Sequence, residues 1–134
     1  MTLRRALAED APAIAAIQRA SAEAAQWDPI GFETWLAEID GVPAGFLVVR
    51  AVVENEIEIL NLAVAPSFRR KGVARRLVQR VFEQHCGDVF LEVRESNTAA
   101  QKLYESLGFK ELSRRPNYYE SPPEGGIVMK FHSC

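Results

Sequence analysis

The chain is poor in the residues that build metal and redox centres. Its 134 residues include two cysteines, Cys86 and Cys134, and two histidines. No CxxC pair and no Cys/His spacing of the zinc-holding kind occurs, so no metal site is expected. Two such scattered cysteines are expected to be free thiols in a reducing cytoplasm, not a disulfide. No run of about 20 apolar residues is present, which excludes a membrane-spanning helix and makes a membrane partner unexpected. The first residues, "MTLRRALAED", lack the apolar middle of a secretory leader. A cytoplasmic location is the expectation. Positive charge is not in excess either: 16 Lys and Arg stand against 18 Asp and Glu, a net charge of −2. General nucleic-acid binders are strongly basic, so no nucleic-acid partner is expected. There is no internal repeat and no low-complexity segment. Both the GK[ST] of a P-loop and the GxGxxG of a dinucleotide fold are missing.

What is present is an ordinary globular composition, with 48% hydrophobic and 25% charged residues. The length suits one domain, residues 1–134, with a real core. "TLRRAL" reads as a strand. "AEDAPAIAAIQRASAEAA" reads as a helix, with Asp10 near its cap, Pro12 in its first turn and Ile14 and Ile17 on its apolar stripe. "QWDPIGF" is broken by Pro29 and Gly31. "ETWLAEIDGVPAGFLVVRAVV" gives two strands joined at Asp40-Gly41. "NEIEILNLAVAP" starts as an alternating strand and becomes nearly all apolar toward Val64, as expected of a central strand covered on both faces at that end. "GVARRLVQRVFEQHCG" is a helix with Val73, Leu77, Val78, Val81 and Phe82 on one face and Gly87 at its end. "DVFLEVRE" is a strand. "NTAAQKLYESLGF" is a helix with Thr98 and Gln101 as a capping box, Ala100, Leu103, Tyr104 and Leu107 as its stripe, and Gly108 as its C-terminal cap. The tail supplies two more strands around a Pro/Gly loop. The order is strand, helix, three strands, helix, strand, helix, two strands, an α/β domain with a mixed sheet.

Between the central strand and the second helix stands "RRKGVA". Six basic residues (69, 70, 71, 75, 76 and 80) fall within twelve positions, out of 16 in the chain. A helix N-terminus presents unpaired N–H groups and the positive end of its dipole. Gly72 removes the side chain where a ligand would touch the backbone, and Ala74 keeps the next approach open. The combination fits a pyrophosphate. Taken alone, the same loop also reads as a solvated basic helix start.

Arg69-Arg70-Lys71-Gly72-Val73-Ala74 resembles the [Q/R]-x-x-G-x-[G/A] signature of the GNAT superfamily of N-acetyltransferases. "NTAAQKLYESLGF" resembles that superfamily's second element, and the order of strands and helices also matches. Within it, "LEVRESNTAAQKLYESLGF" followed by "RRPNYY" is similar to the bacterial ribosomal-protein-alanine N-acetyltransferases of the Rim type, over about residues 57 to 130. The chain departs from that pattern in the short "QWDPIGFETW" segment and in the proline before Asn117, both on the acceptor side.

The resemblance implies a GNAT fold: a mixed, mostly antiparallel sheet flanked by helices, with acetyl-CoA as co-substrate in a cleft after the central strand. It implies that Leu62, Ala63 and Val64 pair through their backbone with the pantetheine arm. Arg69, Arg70, Lys71, Gly72, Val73, Ala74 and Arg75 would hold the pyrophosphate, mainly by backbone amides, and Asn97 would bond the cofactor near its reactive end. Tyr104 matches the family tyrosine that protonates the departing thiolate, and an ordinary phenol pKa near ~10 suits that leaving group. Without the motif it reads as a core tyrosine. Glu92 stands at the position of the Rim-type general base. A carboxylate in an apolar strand acquires a raised pKa; the other reading is a structural ion pair, for instance with Arg94 or a neighbouring strand. Glu58, six residues before Val64, is the second candidate base. His85 and His132 read as surface residues. Trp27, Trp35, Tyr118 and Tyr119 either line the acceptor side or serve ordinary packing.

The expected function is direct acetyl transfer to an amine in a ternary complex, foremost the N-terminal α-amine of a ribosomal protein. The alternatives are acetylation of a small amine and a non-catalytic coenzyme A-binding module.

Overall fold

The structure is a computed structural model that describes residues 1–21, 31–120 and 123–133, apart from the side chains of 117, 118 and 120. Its main elements are β1 (Thr2–Arg5), α1 (Ala11–Arg19), β2 (Glu33–Ile39), β3 (Val42–Val53), β4 (Glu56–Val64), α2 (Val73–Gln84), β5 (Gly87–Arg94), α3 (Thr98–Ser106), β6 (Lys110–Glu120) and β7 (Pro123–Ser133). Their sequence is the one expected. The strands hydrogen-bond in the order β1-β2-β3-β4-β5-β7-β6. Two compact units divide the chain, Met1–Arg50 with Leu60–Gln84 and Ala51–Ile59 with His85–Cys134. The boundaries fall inside β3, inside β4 and at the end of α2.

In the first unit, β1, β2 and β3 are successive antiparallel neighbours. Asp40 and Gly41 have φ of 52° and 76°, the left-handed pair that a two-residue hairpin requires. Asp10 precedes α1 as expected. Its carboxylate accepts the N–H of Leu7 at 2.7 Å and both terminal nitrogens of Arg4 at 2.8 and 2.9 Å. Ile14 and Ile17 of α1 pack on Leu36, Phe46, Val48 and Ala63, one face of the strands. On the other face α2 buries Val73, Leu77, Val78 and Val81, while Phe82 is only partly covered. Arg80 lies over the Trp35 ring at 5.4 Å and Arg5 approaches the same ring at 5.6 Å. Leu77 is fully buried; truncation to alanine there costs about 2–5 kcal/mol.

In the second unit, β4 and β5 are parallel from Glu56↔Asp88 to Ile59↔Leu91. β5 pairs antiparallel with β7 along its whole length, and β7 with β6. Val89, Leu91, Val93, Ile127 and Met129 make the buried face. α3 closes with Gly108 at φ 103°: the N–H of Gly108 donates to the Glu105 carbonyl at 3.0 Å and that of Phe109 to the Tyr104 carbonyl at 2.9 Å. This is the paired closure that a glycine after a helix allows, and it brings the Phe109 ring edge-on to Tyr104 at 5.5 Å.

Three local expectations are corrected. Gly87 does not end α2, which stops at Gln84; it opens β5 at φ 135°, where a Cβ would run into the Asn55 carbonyl. Asn97, not Thr98, caps α3, accepting the Ala100 N–H at 3.1 Å, while Gln101 donates to the carbonyls of Arg94 and Glu95. Cys86 is bonded in a disulfide and is not a free thiol. The antiparallel pairing of Gly87 with Ser133 brings the end of β7 beside it, a long-range register that cysteine spacing does not reveal. The expected extension of the first helix past residue 21 lies outside the described residues. Among the described residues no helix is long and apolar enough to cross a membrane.

Candidate active site

The loop half belongs to the first unit. β4 alternates strictly: Ile57, Ile59, Asn61 and Ala63 are buried, while Glu58, Leu60, Leu62 and Val64 are half-buried. The expected cover on both faces near Val64 is therefore corrected. Leu60, Leu62 and Val64 are apolar yet partly open, so apolarity along a strand did not report enclosure here. The Asn61 side chain accepts the Leu62 N–H at 3.1 Å. After β4, a single tight turn over Pro66–Phe68 leads into the basic loop. Arg69 donates to the Val64 carbonyl at 3.3 Å and to the Ser21 hydroxyl at 3.4 Å, so it braces the loop.

Arg70 and Gly72 both stand in the left-handed region, at φ 64° and 78°. The N–H of Arg76 donates to the Gly72 carbonyl at 3.0 Å as α2 begins. The amides of Val73 and Ala74 precede that bond in the first turn, where a helix offers no carbonyl one turn back. A Cβ on Gly72 would meet nothing within 4 Å. Arg70, Lys71 and Arg75 are exposed and Ala74 is half-buried, whereas the Val73 side chain is in the core. A helix start ringed by exposed basic side chains thus sits on a valine that anchors it. The sequence reading missed what receives that anchor. Gly45 on β3 has no side chain, and a Cβ there would lie 2.9 Å from the Ala63 carbonyl and 2.9 Å from Val73 Cγ1. A glycine inside an otherwise strong strand pattern was the available signal.

The second unit holds Glu92, Asn97 and Tyr104. Glu92 projects from the face of β5 opposite the buried one. Its Oε1 forms an ion pair with Arg115 Nη1 at 3.2 Å, and its Oε2 is buried with no hydrogen-bond partner. Burial pushes its pKa above the ordinary carboxylate value; Arg115 pulls it down and the nearby Glu58 pushes it up. The alternative reading, a structural ion pair, is met by Arg115 rather than Arg94, which bonds Glu124 at 3.0 Å and lies over the Tyr119 ring at 4.2 Å. A partner two strands away was invisible in sequence because it depends on the β6–β7 register. Asn97 spends its side-chain oxygen on the α3 cap.

Tyr104 is the one α3 residue that is fully buried; Ala100, Leu103 and Leu107 are half-buried. Burial pushes its phenol well above the ordinary value, so the expected pKa near ~10 is corrected. Its neighbour Phe109 packs on Phe131 at 5.6 Å, and Phe131 pairs with Val89 of the buried face. Within this unit α3 therefore covers the face opposite Glu92. Trp35 is packed between two guanidinium groups, which ordinary packing explains. His132 is exposed and bonds Asp88 at 2.8 Å. Trp27 and the side chain of Tyr118 lie outside the described residues. Among the described residues no group of three or more His, Cys, Asp or Glu forms a metal-holding cluster.

Residues 2–109 match the acetyltransferase (GNAT) family, and the chain belongs to that family. A curated relative, the [ribosomal protein bS18]-alanine N-acetyltransferase of Haemophilus ducreyi, is 39% identical over 85 residues, 58% of this chain and 59% of its own length. The crystal structure of the ribosomal-protein-S18-alanine N-acetyltransferase from Escherichia coli superposes with a TM-score of 0.85 at 29% identity, covering 98% of this chain and 93% of that one. Ard1 from Thermoplasma volcanium superposes with a TM-score of 0.85 at 26% identity, covering 99% and 97%. The chain spans 59% to 64% of the length of the first curated relatives it matches.

Proposed function

We propose that this chain is an acetyl-CoA-dependent N-acetyltransferase whose acceptor is the N-terminal α-amine of a ribosomal protein. The observation that carries the reading is Glu92: a carboxylate at the family's base position, in a dry setting, with one oxygen paired and the other unpartnered. An N-terminal ammonium has a pKa near ~8 and must lose a proton before it attacks a thioester. Glu92 takes that proton, and Glu58, which raises the pKa of Glu92, is the second candidate. The partly open Leu62 and Val64, with Ala63 between them, suit a pantetheine arm laid along β4. The amides of 70–75 suit the pyrophosphate, with Gly72 leaving room. Asn97 stands at the start of α3 for the reactive end of the cofactor. Tyr104, held protonated by its burial, donates its proton to the leaving thiolate. The ribosomal acceptor is carried over from the similar ribosomal-protein-alanine N-acetyltransferases.

The test is release of free thiol from acetyl-CoA with a panel of N-terminal peptides and small amines. An Ala-starting ribosomal peptide is expected to be preferred. Preference for a small amine would move the acceptor assignment, and coenzyme A binding without turnover on any amine would make the chain a binding module. Glu92→Gln and Tyr104→Phe are each expected to lower kcat about 10²–10⁴-fold with acetyl-CoA binding, read by calorimetry, unchanged. Full activity in both would remove the acid–base assignment.

A further inference from the structure

The two oxygens of Glu92 are not equivalent. Arg115 reaches Oε1 from β6, and β7 lies between β6 and β5. The register explains how it gets there. Gly126 of β7 is opposite both Arg115 and Arg94, so the middle position of that row has no side chain. Gly126 is buried, as it must be under a side chain crossing the sheet. Arg115 also precedes the register irregularity that runs to Tyr119, and is the last residue of that regular pairing. Its side chain is 55% exposed, whereas the Glu92 side chain it meets is 15% exposed. A half-exposed cation thus pairs with a mostly buried carboxylate.

We propose that Arg115 is the positioning residue of the base: it fixes the Glu92 carboxylate through Oε1 and holds it ionised for the proton of the acceptor ammonium. The inference rests on Glu92 being the base, and adds what holds and tunes it. The proton passes from the ammonium nitrogen to the Glu92 carboxylate, leaving a neutral amine and a neutral carboxylic acid. The charge on Arg115 remains and favours return of the proton to solvent afterwards. Without Arg115, burial and the Glu58 charge act on Glu92 unopposed, and both disfavour its ionised form. The other charged groups on this face are already paired, Arg94 with Glu124 and Lys130 with Asp88, the latter also bonded to His132. Lys110 stands opposite Lys130 on β6.

The experiment is a pH titration of the Glu92 carboxyl by NMR in ¹³C-glutamate-labelled protein, assigned by its loss in Glu92→Gln. It is made beside the pH profile of kcat/KM with the best peptide acceptor. In Arg115→Gln the Glu92 titration and the acid limb of the profile are expected to move together to higher pH. The activity loss should therefore grow as pH falls. Arg115→Lys is expected to restore part of both shifts, and Glu58→Gln to move both the opposite way. An unchanged Glu92 titration in folded Arg115→Gln overturns the proposal, as does an activity loss equal at every pH. Full activity in Glu92→Gln overturns the assignment of the base itself, and the NMR arm shows independently whether Arg115 tunes the carboxyl. If Arg115→Gln does not fold, Arg115→Lys carries the test through a smaller shift in the same direction.

Discussion

A single carboxylate shows most directly how this molecule trades stability for chemistry. Glu92 is raised by burial, against the pull of Arg115. A carboxyl whose folded pKa lies above its unfolded value contributes stability below the unfolded value, and loses it as pH rises through the folded one. At neutral pH the ionised Glu92 therefore weighs against the fold, and its unpartnered Oε2 adds to that. Glu92→Gln keeps the shape and removes the charge. It is expected to melt at a higher temperature than wild type at pH 7.5, with the advantage shrinking toward pH 4. A lower melting temperature at pH 7.5 would mean the Arg115 pair outweighs the burial it opposes. Gain of stability on loss of a charged group is the pattern of a residue retained for function.

At the scale of elements, the anion loop is placed by a contact made far from it in sequence. Val73 opens α2 and lies against the bare backbone of Gly45. A methyl at 45 forces either the Ala63 carbonyl or Val73 to move, and overpacking of this kind costs about 1–3 kcal/mol. Gly45→Ala is expected to lower the melting temperature and weaken acetyl-CoA binding together. At Gly72 the reasoning is different: space is open, and φ is 78°. Gly72→Glu should abolish acetyl-CoA binding by filling and charging the cradle, while Lys71→Ala should change it little. Equal losses from the two would return the weight to the basic side chains.

These elements also mark how far the sequence could be read. Every strand and helix followed from local pattern, because periodicity and turn residues act within a few positions. The Asp40-Gly41 hairpin and the Gly108 closure are set by glycine chemistry that sequence displays. What stayed hidden was set by register. The Arg115–Glu92 pair and the Gly45–Val73 contact each join residues far apart in the chain. Asn97 as the cap of α3 was hidden for a smaller reason, since Asn and Thr are adjacent and both are good caps.

For the whole molecule, the division into two units gives acid a place to act first. Four carboxyls are held below their ordinary values. Asp10 is lowered by its bonds from Arg4 and then from the Leu7 N–H. Asp88 is lowered by His132 first, against some burial. Glu111 is lowered by Arg114. In Glu124 burial pushes upward, and bonds from Arg94 and from the Ser96 N–H and hydroxyl outweigh it. A lowered carboxyl stabilises above its unfolded value, about 4, and that contribution is lost as pH falls through the folded value. Asp10 lies in the first unit and the other three in the second. Glu111 is nearly half exposed and adds little, but Asp88 and Glu124 tie β5 to β7 and to the start of α3. Glu92 runs the other way, since its protonation relieves the second unit. It is one group, and its relief is complete before the lowered carboxyls titrate. Between pH 4 and pH 2.5, hydrogen exchange is therefore expected to accelerate in the amides of β5, β6 and β7 before those of β2 and β3. Loss of protection in β2 and β3 first would show that the Arg4–Asp10 pair, not the carboxyls of β5 and β7, governs acid stability.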